Sequence, residues 1–102
     1  MDVNMSEDAY RTSRVFKLLG NPLRYRMYEV IADEKSISSG ELADRLSRKV
    51  DSISYHVDKL RQLDLIYSER RGKHNYHLIK REDLIQAVKE FEEQFNREQP
   101  DN

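Results

Sequence analysis

Apolar residues first recur along the chain at helical spacing and then switch to a strand period. Val15, Phe16, Leu18 and Leu19 give one face to a helix over about residues 7–19, with Ser6 as its N-cap. Gly20 is placed to end that helix. Asn21-Pro22 opens the next helix with a capping side chain and then a proline at the first helical position. Its core stripe is Leu23, Met27, Val30 and Ile31. Ser38 and Glu41 form a Ser-x-x-Glu capping box, so a third helix covers about residues 39–46 and buries Leu42, Ala43 and Leu46. After a short turn, Ser47-Arg48-Lys49, a fourth helix carries Ile53, Val57 and Leu60 and ends near residues 62–64. Leu65-Ile66-Tyr67-Ser68 and Asn75-Tyr76-His77-Leu78-Ile79 then read as two strands. Between them residues 69–74 form a glycine-containing tip with three cations. A last helix runs from residue 81 or 82 to about 96. Its Leu84, Val88, Phe91 and Phe95 repeat at four, three and four, the spacing of a coiled-coil seam. Residues 1–5 and 97–102 are expected to be frayed or disordered.

This order predicts a mainly α chain with a small β-hairpin. A short-turned helix pair followed by a hairpin is a helix-turn-helix with a wing. One domain over residues 1–102 is expected, with the helix-turn-helix at about 39–64 and the wing at about 65–80, flanked by helices at about 7–19 and 82–96. The fourth helix poses the functional question. Opposite its apolar stripe stand Ser52, Ser54, Tyr55 and Lys59. Such a face is either an ordinary solvated surface or a surface that reaches into a DNA groove.

Charge changes the balance between those readings. The 102-residue chain is 36% charged and 37% hydrophobic, with a net charge of −1. Its charges are unevenly placed: ten basic and five acidic residues lie between Asp44 and Arg81, while residues 82–102 hold seven acids and two bases. Residues 1–43 hold six bases and seven acids. A basic middle and an acidic tail favour an anionic partner for the middle. Absence of cysteine excludes disulfides, thiolate ligands and a cysteine nucleophile. No apolar run approaches the length of a membrane span, and the polar start lacks a signal-peptide core, so a cytoplasmic protein is expected. Only Gly20, Gly40 and Gly72 are present, which rules out a glycine-rich phosphate loop, and the carboxylates are scattered. No catalytic residue, cofactor or metal site is expected. His56 flanks the core stripe and is read as packing or hydrogen-bonding inside. His74 and His77 fall on opposite faces of a strand, unsuited to a shared ligand.

The runs LLGNPLRYRMYEVI, ELADRLSRKVDSISYHVDKLRQLDLI and ERRGKHNYHLI together resemble the ArsR/SmtB-type winged-helix transcriptional regulators. The resemblance spans roughly residues 15–80. It implies a homodimer built from the first and last helices, and repression by occupying a promoter. On it, Lys49, Ser52, Ser54, Tyr55 and Lys59 are the recognition-helix candidates for DNA. Arg70, Arg71 and Lys73 are the wing candidates, and Arg24, Arg26 and Arg48 are possible backbone contacts. Phe16, Leu19, Leu84, Val88, Phe91 and Phe95 are the candidate dimer interface. The sequence departs from the family at its metal sites. Ser38 and Gly40 stand where many members have a Cys-x-Cys, and the last helix has no histidine. Metal sensing is therefore not carried over, and any effector is unidentified. Asp64 replaces a glycine or small residue before the first wing strand. Arg48 replaces an apolar corner residue, for which Val50 is expected to substitute. A protein-binding winged helix and a sequence-indifferent architectural DNA binder are the alternatives.

Overall fold

A computed structural model describes residues 4–98. The fraying expected for residues 1–3 and 99–102 lies outside them. The elements follow the predicted order with one addition: α1 (Glu7–Leu19), α2 (Pro22–Glu34), β1 (Ile37–Ser38), α3 (Ser39–Leu46), α4 (Val50–Gln62), β2 (Ile66–Arg71), β3 (His74–Ile79) and α5 (Arg81–Glu98).

The helix starts are set by side chains reaching unpaired backbone N–H groups. The Ser6 hydroxyl accepts from Ala9 N at 3.1 Å. Asn21 Oδ1 accepts from Leu23 N and Arg24 N at 3.0 and 3.1 Å, with Pro22 next in line. The capping box closes reciprocally: Glu41 N donates to Ser38 Oγ, and Ser38 N donates to Glu41 Oε1. Those bonds hold the Glu41 carboxyl below its usual range. Gly20 follows α1 but keeps a right-handed φ of −72°, so it is not a left-handed cap. Its N–H closes the helix onto Phe16 O, and a Cβ there would stand 3.2 Å from that oxygen. Asp64 does take the left-handed conformation, φ 56°, in the turn that ends α4. A short polar side chain tolerates that region better than most.

Two parts of the wing differ from expectation. Its strands run further toward the tip, leaving only Gly72 and Lys73 as the turn, with Arg71 paired to His74. Gly72 has φ 61°, suited to a tight two-residue hairpin. Arg70 and Arg71 are thus strand residues: the hairpin projects past the core, and both its faces there are wet. The short β1 pairs with β3, Ile37 opposite His77, so the sheet has three strands in the order β1-β3-β2. Two residues carry no period by which to be read. The last helix also continues through Glu98, into the stretch expected to be disordered.

One core joins all the helices to the sheet. Met27, Ile31, Leu42, Ile53, Leu60, Leu65 and Ile66 are fully buried in it, with Val15 and Val30. From α5 it receives Ala87, with Leu84 packed at its edge. Leu19 packs against the same core. These two residues are therefore half-buried within the protomer. Phe16, Val88, Phe91 and Phe95 remain exposed, and so does Ile85. Phe16 and Phe91 meet edge to face at 5.2 Å, and Phe91 stacks on Phe95 at 6.1 Å.

The buried polar joint of the sheet is His77, 2% exposed. Its Nε2 lies 2.8 Å from the Ser39 hydroxyl at the start of α3, and its Nδ1 lies 2.8 Å from the Ser68 hydroxyl on β2. Each hydroxyl can donate or accept, so either neutral tautomer is satisfied. Burial pushes the imidazole below its ordinary 6.5; the Arg61 charge adds to this and Asp58 opposes it. The unfolded ring takes a proton near that ordinary value, the folded ring only at lower pH. The contribution to stability is therefore full above about pH 6.5 and is lost as pH falls through the folded value. Urea midpoints measured from about pH 7.5 down to about pH 5 are expected to fall, and to fall less in His77→Gln. Equal slopes in the two proteins would contradict this.

Candidate nucleic-acid interface

Burial of Ile53, Val57 and Leu60 sets the rotation of α4. Tyr55 consequently points outward and is 56% exposed. Ser52 and Ser54 flank it on the two sides, both exposed. The Lys59 ammonium lies over the Tyr55 ring, 5.3 Å from its centre, and is half-buried against the domain. Lys49 occupies the N-cap position of α4, where no side chain caps the helix. Its first-turn N–H groups and the positive end of its dipole thus stand beside a cation. Asp51 and Asp58 share the outward stripe with Tyr55, at spacings of four and three, and both are exposed. Sequence reading passed over Asp58; helical spacing from Tyr55 was the signal that marks it.

Of the backbone candidates, Arg24 is committed internally. Its Nε donates to His56 Nδ1 at 3.1 Å, and its Nη1 donates to Leu18 O at 3.1 Å. One side chain thereby ties α2 to α4 and to the end of α1. His56 is structural, as expected, and burial and the Arg24 charge hold it below its ordinary pKa. Arg26 lies 3.7 Å from Glu29 on the exposed side of α2. Arg48 is exposed in the turn between α3 and α4, and Val50 is 47% exposed rather than filling the corner.

The wing cations are not equivalent. Arg71 is held along the hairpin by Glu69 at 2.8 Å and by Ser36 at 3.1 Å, and its guanidinium covers the Tyr76 ring. Arg70 Nε donates to Gly72 O at 2.9 Å, which braces the turn. Lys73 stands at the turn itself, exposed. Between the hairpin and α4 lies a groove of about 490 Å³, whose lining includes Ser39, Ser54, Arg61, Lys73, His74 and Asn75. Ser39, Arg61 and Asn75 were not singled out from the sequence. They come from three separate elements and only folding assembles them. Asp58 also lines the groove, 3.8 Å from Arg61, so Arg61 and Lys73 leave it a net positive charge of the kind that attracts a phosphate.

Among the described residues no group of three histidine, aspartate or glutamate side chains comes together as a metal site. No helix among them is long and apolar enough to cross a membrane.

Comparison with known proteins agrees with this geometry. Residues 19–68 match the helix-turn-helix domain family, from the end of α1 into β2. The transcriptional repressor SdpR of Bacillus subtilis is 25% identical over 67 residues, 66% of this chain and 73% of that protein. An ArsR-like transcriptional regulator from Rhodococcus superposes with a TM-score of 0.77 at 20% identity, covering 87% of this chain and 86% of that one. A homodimeric winged helix-turn-helix DNA-binding domain from Mycobacterium bovis, described as a possible ArsR-family regulator, superposes with a TM-score of 0.68. It is 17% identical, and 98% of each chain is covered. Sequence match and fold agree: residues 19–68 are similar to the helix-turn-helix domain family, and the chain as a whole has a winged helix-turn-helix fold.

Proposed function

We propose that the chain acts as a cytoplasmic homodimer that reads a specific double-stranded DNA sequence and represses transcription by occupying it. The observation that carries this reading is the face of α4. An exposed Tyr55 stands between Ser52 and Ser54, beside a groove closed by Lys73. Ser52, Ser54 and Tyr55 contact base edges in the major groove, and Lys49 and Lys59 contact phosphates beside it. Lys73 contacts phosphate through the wing; Arg70 and Arg71 shape the wing and add charge. Arg26 and Arg48 are peripheral backbone contacts. Two recognition helices about one helical turn apart, roughly 34 Å, would read an imperfect palindrome. Neither a cofactor nor a catalytic group enters this reading.

Asp51 and Asp58 favour a sequence reader over a sequence-indifferent binder. Carboxylates on the outward stripe repel phosphates and weaken unspecific binding, whereas a carboxylate can accept from a cytosine amino group. The dimer rests on Phe16, Leu19, Leu84, Val88, Phe91 and Phe95, with Ile85 added. A cluster of stacked aromatic rings left in water along α1 and α5 is a surface made to be covered. The homodimeric Mycobacterium bovis domain and the repressor SdpR lend support by similarity.

Three substitutions test the division of labour. Tyr55→Ala is expected to lower affinity for the preferred site by about tenfold and to leave binding to random DNA nearly unchanged. Lys73→Gln is expected to weaken binding to all sequences and to make the salt slope of a dimer shallower by about two. The reverse pattern in competition anisotropy would sink the assignment. Phe91→Glu is expected to weaken self-association by about 30-fold or more in sedimentation equilibrium, with helix content retained. A dimer as tight as the parent's would remove α5 from the interface.

A further inference from the structure

A second basic cleft lies on the other flank of α4, facing α1. It encloses about 380 Å³, and its lining includes Tyr10, Arg14, Lys17, Arg24, Tyr55 and Lys59. Four of its lining residues are basic and none is acidic. The two walls are built alike. On α1 the Arg14 guanidinium lies over the Tyr10 ring at 5.8 Å; on α4 the Lys59 ammonium lies over the Tyr55 ring at 5.3 Å. In each case a cation sits four residues after an aromatic, one helical turn on, so each ring holds its cation in place. Arg24 forms the end of the cleft, fixed by His56 and Leu18 O. Three acids of the first 43 residues are engaged away from it: Glu29 pairs with Arg26, Glu34 with Arg45, and Glu41 caps α3. Four cations drawn together without a carboxylate repel one another, and an anion placed among them relieves that repulsion.

We propose that this cleft is a phosphate-binding site. Its occupant is a backbone phosphate of the same DNA that α4 reads, on the flank of α4 opposite the wing. The proposal rests on the DNA reading above. DNA is favoured as the source because Tyr55 and Lys59 belong to both surfaces, so a duplex seated on the reading face passes the mouth of the cleft. Arg14 and Lys17 thereby become DNA-contacting residues. They lie in a segment whose summed charge is slightly acidic, and in a helix otherwise assigned to dimerisation. With the groove beside the wing, the cleft would grip the duplex on both sides of the inserted helix.

The test is the salt dependence of binding to a random-sequence duplex, read by anisotropy with the full chain. The double variant Arg14→Gln/Lys17→Gln removes two of the four cations that hold the phosphate, and with them one phosphate contact per protomer. Its slope of log affinity against log salt is expected to be shallower by about two units in a dimer. The ratio of specific to random affinity is expected to stay within about twofold of the parent, because phosphate contacts carry no sequence information. The charge-keeping variant Arg14→Lys/Lys17→Arg is expected to retain the parent slope, which separates charge from folding. If the glutamine variant keeps the parent slope while Lys73→Gln lowers it, the cleft lies outside the interface and the DNA reading stands without it. If the parent binds no duplex even at low salt, both fall.

Discussion

Burial of Ile53, Val57 and Leu60 against one shared core is the constraint on which the surface chemistry depends. A helix with three such anchors has one allowed rotation about its axis. That rotation sends Tyr55 outward and sets one flank of α4 toward the wing and the other toward α1. Each fully buried aliphatic contributes about 1.5–3 kcal/mol, so turning α4 to present another face is prohibitively costly. The outward face of α4 is thus determined by what the helix hides.

Polar joints then fix the neighbours of α4. Arg24 connects α1, α2 and α4 through His56 and the Leu18 carbonyl, which closes the flank on the α1 side. His77 connects the wing strands to the first residue of α3, which closes the flank on the wing side. Both imidazoles are depressed in pKa by burial, so both joints are made by neutral rings at neutral pH. The helix is held between two hydrogen-bonded supports, and the two basic clefts open beside them.

Features with a local physical cause were legible in the sequence. The Ser38–Glu41 box, the Asn21-Pro22 start and the three-residue stripe of α4 each act within a single turn, and the structure has them where the spacing places them. Features decided by long-range packing were not. Arg70 and Arg71 read as loop because of their charge, yet strand pairing with β3 carries them. Leu19 and Leu84 fit a partner-facing seam by spacing, and they also pack at the edge of the protomer's own core, which spacing did not reveal. Val50 was expected to fill the corner that Arg48 leaves, but the corner is solvated. The cleft on the α1 flank was least legible of all. Its cations come from three helices, and summing charge along the chain hides what folding gathers.

We propose that these elements form an aromatic and hydroxyl reading head between two basic grips, carried on a chain with an uncovered aromatic face. Selection from a random duplex pool with the purified protein, at low and moderate salt, tests that account most directly. The account expects enrichment of a two-fold-symmetric motif that persists at moderate salt. Binding without enrichment, or no binding at low salt, would contradict it.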